Sequence, residues 1–291
     1  MTLLQQIEAS ISNATNQPAI ITDSNHASGG CINDSRIITL QDGREYFLKT
    51  HPLTSKLPDF FQAEFDALTL LGDSQTINVP KPIVVENEFI VLEIFHEGSQ
   101  AKDWQEQMGH NLALLHQQTQ QKQFGFSHNN YLGTTQQVNN WQDNWLEFYR
   151  EQRLGHQLNL FKLKCASDDD LLKSGFALLN KLDEIIGHIQ EPAVLLHGDL
   201  WSGNAAANDK GEPVIFDPAS YYGHREAEFG MMRLFGGFGS RCEAAYQEIW
   251  PFEADLERRI TLYRLYHELN HLNLFGSAYY STCLSTIRTL I

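Results

Sequence analysis

Short apolar runs punctuated by glycine and turn residues fill the first third of the chain, and longer three- and four-residue periodicities fill the rest. From residue 19 to about 95, PAIITDSNHA, INDSRIITL and GREYFLK are rich in β-branched and aromatic residues. Gly29-Gly30 and Asp42-Gly43 separate them, which predicts strands joined by tight turns. After Pro58, DFFQAEFDALTLLG sets Phe61, Phe65, Leu68 and Leu71 on one helical face and stops at Gly72. PIVVE and EFIVLEIF read as two more strands, so this part has the order β-β-β-α-β-β. Ahead of it, Leu3, Leu4, Ile7 and Ile11 fit one face of a short helix.

Beyond His96 the period is helical in WQEQMGHNLALLHQQ, WQDNWLEFYREQRLGHQLNLF, DDLLKSGFALLNKLDEIIGHI and the run from Glu253 to Phe275. One segment breaks it: EPAVLLHGDLWSGNAAANDKGEPVIFDPAS carries two short strand-like runs flanked by polar turns. Polar loops between buried strands are where chemistry tends to sit. The expected organisation is α+β, with a sheet-rich N-lobe over residues 1–95 and a larger, mostly helical C-lobe over residues 96–291. No internal repeat or low-complexity segment interrupts it.

Composition narrows the partners. The 291 residues hold 21 Lys plus Arg against 36 Asp plus Glu, a formal charge of −15. Such a surface repels phosphate backbones and anionic lipid, so nucleic acid and membrane are excluded as general partners. The N-terminus lacks a basic region and a continuous apolar stretch, and no window approaches the ~18 apolar residues of a membrane span. The four cysteines, Cys31, Cys165, Cys242 and Cys283, are widely spaced, which favours a reducing cytoplasm over a disulfide framework or a zinc site.

The candidate chemistry lies in the exceptional segment. His197-Gly198-Asp199 is followed by Asn204 and then by Asp217 at the end of PVIF. Asn204 and Asp217 supply hard oxygen ligands suited to Mg²⁺, while Asp199 remains to accept a proton from a hydroxyl. Phosphoryl transfer needs this division between metal ligands and base. Each piece alone also suits a turn, a cap or a helix start. The earlier strands supply the remaining parts: Lys49 ends the strand YFLK as a phosphate-binding lysine does, and Glu64 sits mid-helix where it can pair with Lys49. Strand, helix, hinge, catalytic loop and metal loop then follow in the order of a bilobal protein-kinase-like fold, with a small N-terminal antiparallel-sheet lobe. Gly29-Gly30 occupies the place of a phosphate loop without a G-x-G-x-x-G signature, and Glu93, Ile94 and Phe95 occupy that of the adenine-binding hinge.

HGDLWSGN at 197–204, FDPASYYGHREAEFGM at 216–231, LFGGF at 234–238 and FGFSHNNYLGTTQQVNNWQDNW at 124–145 resemble the fructosamine kinase (ketosamine-3-kinase) family, as do SGGCIND, GREYFLK and VPKPI nearer the N-terminus. The resemblance implies an ATP- and Mg²⁺-dependent kinase that phosphorylates the sugar 3-hydroxyl of ketosamines, whose unstable product releases the amine and so deglycates it. It further implies Asp199 as base, Asn204 and Asp217 as metal ligands, and Lys49 on the ATP phosphates with Glu64 orienting it. Glu93 to Phe95 would line the adenine site. The substrates would be ketosamine small molecules or glycated proteins, handled by a monomer or a homodimer. Trp201, two residues past the base, would offer a flat apolar face to the sugar and cation–π attraction to its amine. Cys31, in the position of the phosphate loop, is a candidate redox-sensitive thiol. His197 is expected to brace the loop by hydrogen bonding, and Arg225 and Glu226 to form a structural ion pair. The alternatives are a phosphotransferase for aminoglycosides or other amino alcohols, and a kinase-like binding protein without catalysis.

Overall fold

The structure is a computed structural model that describes residues 2–27, 34–51, 56–165 and 169–291. Contacts divide the chain into two compact units, neither continuous in sequence: residues 1–104 with 205–217, and residues 105–204 with 218–291.

The first unit is built on a five-stranded antiparallel sheet. Helix α1 (Leu3–Thr15) precedes β1 (Ile21–His26), β2 (Asp34–Leu40) and β3 (Glu45–Thr50). Helix α2 (Phe60–Asp73), β4 (Pro82–Glu86) and β5 (Phe89–Glu93) follow, and the strand order is β1-β2-β3-β5-β4. Side chains alternate across a strand, so each face of the sheet gathers its own core. On one face Ile38, Leu40, Tyr46, Leu48 and Val91 pack with Ile7 and Ile11 of α1. On the other, Phe47, Ile90 and Leu92 pack with Phe61 and Leu68 of α2. The predicted apolar face of α1 is shorter than expected: Leu3 and Leu4 are 41% and 49% exposed. Only the later turns reach the sheet, while the first is closed by a capping box between Thr2 and Gln5.

Residues 205–217 add a hairpin to this unit, β9 (Ala205–Ala207) paired with β10 (Pro213–Ile215). Asn78 anchors it, since its side-chain amide donates to the Pro213 carbonyl (3.0 Å) and its own carbonyl accepts from Ile215 (3.0 Å).

The second unit contains α3 (Trp104–Gln118), which its first residue enters from the sheet-rich unit, then β6 (Asn130–Leu132) and β7 (Thr135–Gln137). The helical period predicted from Trp141 to Phe161 is realised as α4 (Trp145–Phe148), a π-helical stretch over Tyr149–Gly155, and α5 (His156–Lys162). Then come α6 (Asp170–Leu179), α7 (Asp183–Ile186), β8 (Val194–Leu196) and β11 (Tyr221–Gly223). Helices α8 (Ala227–Phe235), α9 (Ser240–Ile249), α10 (Leu256–Phe275) and α11 (Tyr280–Leu290) complete the unit. Strands β8 and β11 pair antiparallel, which brings the loop after β8 beside the segment before β11. No helix among the described residues is long and apolar enough to cross a membrane.

Candidate active site

In the first unit the site is organised by Lys49. It shares a strand face with Phe47, two residues away, and therefore points to the α2 side of the sheet. Glu64 lies on the buried stripe of α2 with Phe61, Leu68 and Leu71. A carboxylate there is costly unless paired. Lys49 Nζ donates to Glu64 Oε1 at 2.5 Å and also to Asp217 Oδ1. One ammonium thus faces two carboxylates, with the lysine only 3% exposed. Burial opposes its charge, but the Asp217 and Glu64 carboxylates outweigh it and hold Lys49 above its ordinary range, so it is protonated at neutral pH. Burial pushes the Glu64 carboxyl up, against the attraction of Lys49. Asp217 reaches this position from the end of the β9–β10 hairpin, with φ 57. Phe216, next to it, lies 5.8 Å from Phe95, centroid to centroid. Glu93 ends β5 and its backbone donates to Lys81, so Glu93 to Phe95 continue directly from the sheet.

In the second unit the site is the loop after β8. Gly198 has φ +83, and a Cβ there would lie 2.2 Å from the Ala219 carbonyl oxygen, so only glycine fits between His197 and Asp199. Asp199 donates its backbone N–H to His197 Nδ1 at 3.2 Å, and His197 is fully buried, so His197 braces the loop as expected. Asn204 Nδ2 donates to the Asp199 carbonyl (2.8 Å) and to Asp199 Oδ2 (3.2 Å). With the amide nitrogen so committed, Asn204 Oδ1 is the atom left as an oxygen donor. That fits a hard cation. Among the described residues no group of three or more His, Cys, Asp and Glu forms a metal cage, so Asn204 in this unit, like Asp217 in the first, could offer Mg²⁺ only part of a shell. Mg²⁺ characteristically takes one or two protein ligands and completes its shell with phosphate and water.

Sequence reasoning missed the residues that hold this loop. Glu228, fully buried in α8, accepts the backbone N–H of His197 (2.6 Å) and of Gly198 (3.0 Å). Its signal was an acidic residue inside an otherwise apolar helix start. A second brace comes from amide side chains on and after β6 and β7. Asn130 Nδ2 donates to the Ser220 carbonyl (2.7 Å), and Gln137 Nε2 to the Ala219 carbonyl (3.0 Å). Asn139 donates to Asn130 Oδ1, and Tyr266 donates to Gln137 Oε1. Arg153, from the π-helical stretch, donates to Asn139 Oδ1 (2.7 Å) and to the Val138 carbonyl (2.7 Å). Its guanidinium lies 3.9 Å from the Tyr221 ring centroid. Within the polar string NNYLGTTQQVNN, buried Asn130, Gln137 and Asn139 are therefore a hydrogen-bonding frame for Ala219 and Ser220.

Trp201 is half-buried and packs against Phe235 at 5.6 Å. The expected Arg225–Glu226 ion pair is not formed. Adjacent residues point apart at the start of a helix, and each finds another partner: Arg225 binds both oxygens of Glu191 (2.7 and 2.8 Å), and Glu226 binds Arg259 (2.6 and 2.8 Å). Gly29, Gly30 and Cys31 lie outside the described residues.

The sequence model of the family described as fructosamine kinase matches residues 3–291. The chain is 40% identical over 274 residues to a chloroplastic protein-ribulosamine 3-kinase of Oryza sativa subsp. japonica, covering 92% of this chain and 78% of the relative. It is 34% identical over 297 residues to the ketosamine-3-kinase of Mus musculus, covering 91% and 94%. A solved structure from Thermobifida fusca YX-ER1, bearing the name of fructosamine-3-kinase, superposes with a TM-score of 0.86 at 30% identity, covering 98% of both chains.

Proposed function

The chain belongs to the fructosamine kinase family and is an ATP-dependent phosphotransferase, and we propose that it phosphorylates the sugar 3-hydroxyl of ketosamines in a Mg²⁺-dependent reaction that leads to deglycation of the amine. The single observation that best supports the site assignment is the buried cluster of Lys49 with Glu64 and Asp217, a lysine charged at neutral pH with partners it can exchange for phosphate.

In this reading Lys49 binds the phosphates of ATP, Glu64 keeps its ammonium aimed, and Glu93, Ile94 and Phe95 line the adenine. Gly29 and Gly30 would cover the phosphates. Asp217 and Asn204 hold the metal, which when bound neutralises phosphate charge. Asp199 accepts the proton of the 3-hydroxyl as its oxygen bonds to the γ-phosphorus; the bond from that phosphorus to the bridging oxygen breaks, and ADP leaves with the electron pair. Trp201 stacks on the sugar. The negative protein attracts a protonated ketosamine and repels ATP, so nucleotide affinity rests on Lys49 and the cation. Free, buried Cys242 and Cys283, both pushed up to about 12 by burial, suit a reducing cytoplasm, and Cys31 is the thiol to test for peroxide sensitivity.

The test is an ADP-release assay over a panel of fructosyl-lysine, ribulosyl-lysine, kanamycin and choline, with free amine followed over time. Turnover of a ketosamine with amine release, abolished by EDTA and restored by excess Mg²⁺, is expected. Turnover confined to kanamycin or choline overturns the proposal.

A further inference from the structure

A run of aromatic rings leads away from the catalytic loop across the second unit. Trp201 contacts Phe235 at the end of α8; Phe235 contacts His271 at 4.8 Å. His271 and Phe275, four residues apart on one face of α10, are 5.4 Å apart, and Tyr279 joins both at 5.2 and 6.4 Å. The run begins in a fixed place. The Trp201 indole lies so close over Gly203 that a Cβ there would fall 2.3 Å from its ring, and the Ser202 amide donates to the Gly236 carbonyl at 3.2 Å. Two of its rings face water, with Phe235 38% and Phe275 61% exposed. Single exposed apolar side chains need no explanation, but a contiguous row continuous with a reactive loop does.

We infer that Phe235, His271, Phe275 and Tyr279 form a shelf for the peptide that carries the ketosamine, and that its rings favour cationic or aromatic residues flanking the modified lysine. This rests on the ketosamine kinase reading. A ketosamine extends in one direction only, through its amine substituent, so what lies on rings continuous with the sugar-stacking Trp201 is the carrier of that amine. Ring faces attract ammonium and guanidinium groups. The −15 charge favours a basic peptide and disfavours a second copy of the same acidic chain as the occupant.

The test compares kcat/KM of the full chain on free ketosamine-lysine with that on hexapeptides bearing one ketosamine-lysine, flanked either by Arg and Tyr or by Glu and Gly. The Arg/Tyr peptide is expected to exceed the free amino acid by about five- to tenfold, and the Glu/Gly peptide to show no such gain. Phe275→Ala, a truncation of an exposed ring that leaves the core intact, should bring the peptide-to-free ratio close to one, and Phe275→Tyr should keep it. Equal kcat/KM on all three substrates, or an unchanged ratio in Phe275→Ala, overturns the shelf. So does conversion of a dimer to a monomer by Phe275→Ala with the ratio unaltered, which would make the rings a self-association surface. Failure of the unmodified enzyme to turn over any ketosamine overturns the kinase reading, and the shelf with it.

Discussion

Two of the buried cations, Lys49 in the first unit and Arg153 in the second, are stabilised in opposite ways. Lys49 sits between two carboxylates, Glu64 and Asp217. Arg153, 0% exposed, binds carbonyl and amide oxygens and lies against the rings of Phe148 and Tyr221. An ionic partner can be exchanged for another anion, so the surroundings of Lys49 suit a site where phosphate arrives and leaves. Neutral oxygens and ring faces cannot be exchanged without breaking the protein's own frame. On the proposed reading, the difference separates a cation that meets phosphate from one held for shape, and the Arg153 frame ends on Ala219 and Ser220, beside the loop after β8.

The proposed base is neither cation but Asp199. Asp199→Asn should therefore lower kcat by about 10²–10⁴-fold while nucleotide Kd shifts less than about twofold; near-normal turnover would remove Asp199 from its role. Next in size is Arg153→Met. It strands the Val138 carbonyl and Asn139 Oδ1 without a donor, and should cost about 2–3 kcal/mol, seen as a Tm lower by roughly 4–10 °C. The KM for ATP should stay within about twofold. A change in ATP use with no loss of Tm would invert the comparison.

Glu64→Gln should show the reverse signature, raising the KM for ATP by about tenfold with little change in Tm, because Lys49 loses one of its two anions but remains paired with Asp217. The smallest effect is expected away from both cations, at Glu191. Burial disfavours its charge, but hydrogen bonds from His224 and Arg225 hold its carboxyl at about 2, below the ordinary 4.5. A carboxyl depressed on folding gives stability that is present above about pH 4.5 and drains away as pH falls toward 2. Glu191→Gln should lower Tm at pH 7 by a few degrees and flatten the acid limb of a Tm–pH curve over that window. An unchanged acid limb would show that Glu191 is not depressed.

Much of this was legible in the chain. The sheet-rich order, the α2 stripe and the β8 and β10 runs follow from hydrophobic period and turn residues. Glu64 could be paired with Lys49 because it lies mid-helix directly after the lysine strand, in the element order of a kinase-like fold. Pairings without local period were hidden. Arg225 and Glu226 looked like partners because they are neighbours, yet they bind Glu191 and Arg259, 34 and 33 residues away. Nothing in the composition of the polar string from Asn129 to Asn140 reveals that Asn130, Gln137 and Asn139 are buried.

The sequence by itself determined the elements, the reactive residue types and the family, because these depend on local periodicity and short motif spacing. Only the tertiary structure decided that residues 205–217 leave the helical unit to carry Asp217 to Lys49. It also decided that Glu228 and the Asn130–Gln137–Asn139–Arg153 frame hold the loop backbone. Those choices rest on satisfying buried charges and hydrogen-bonding groups across long separations in the chain, a condition that the packed molecule alone defines.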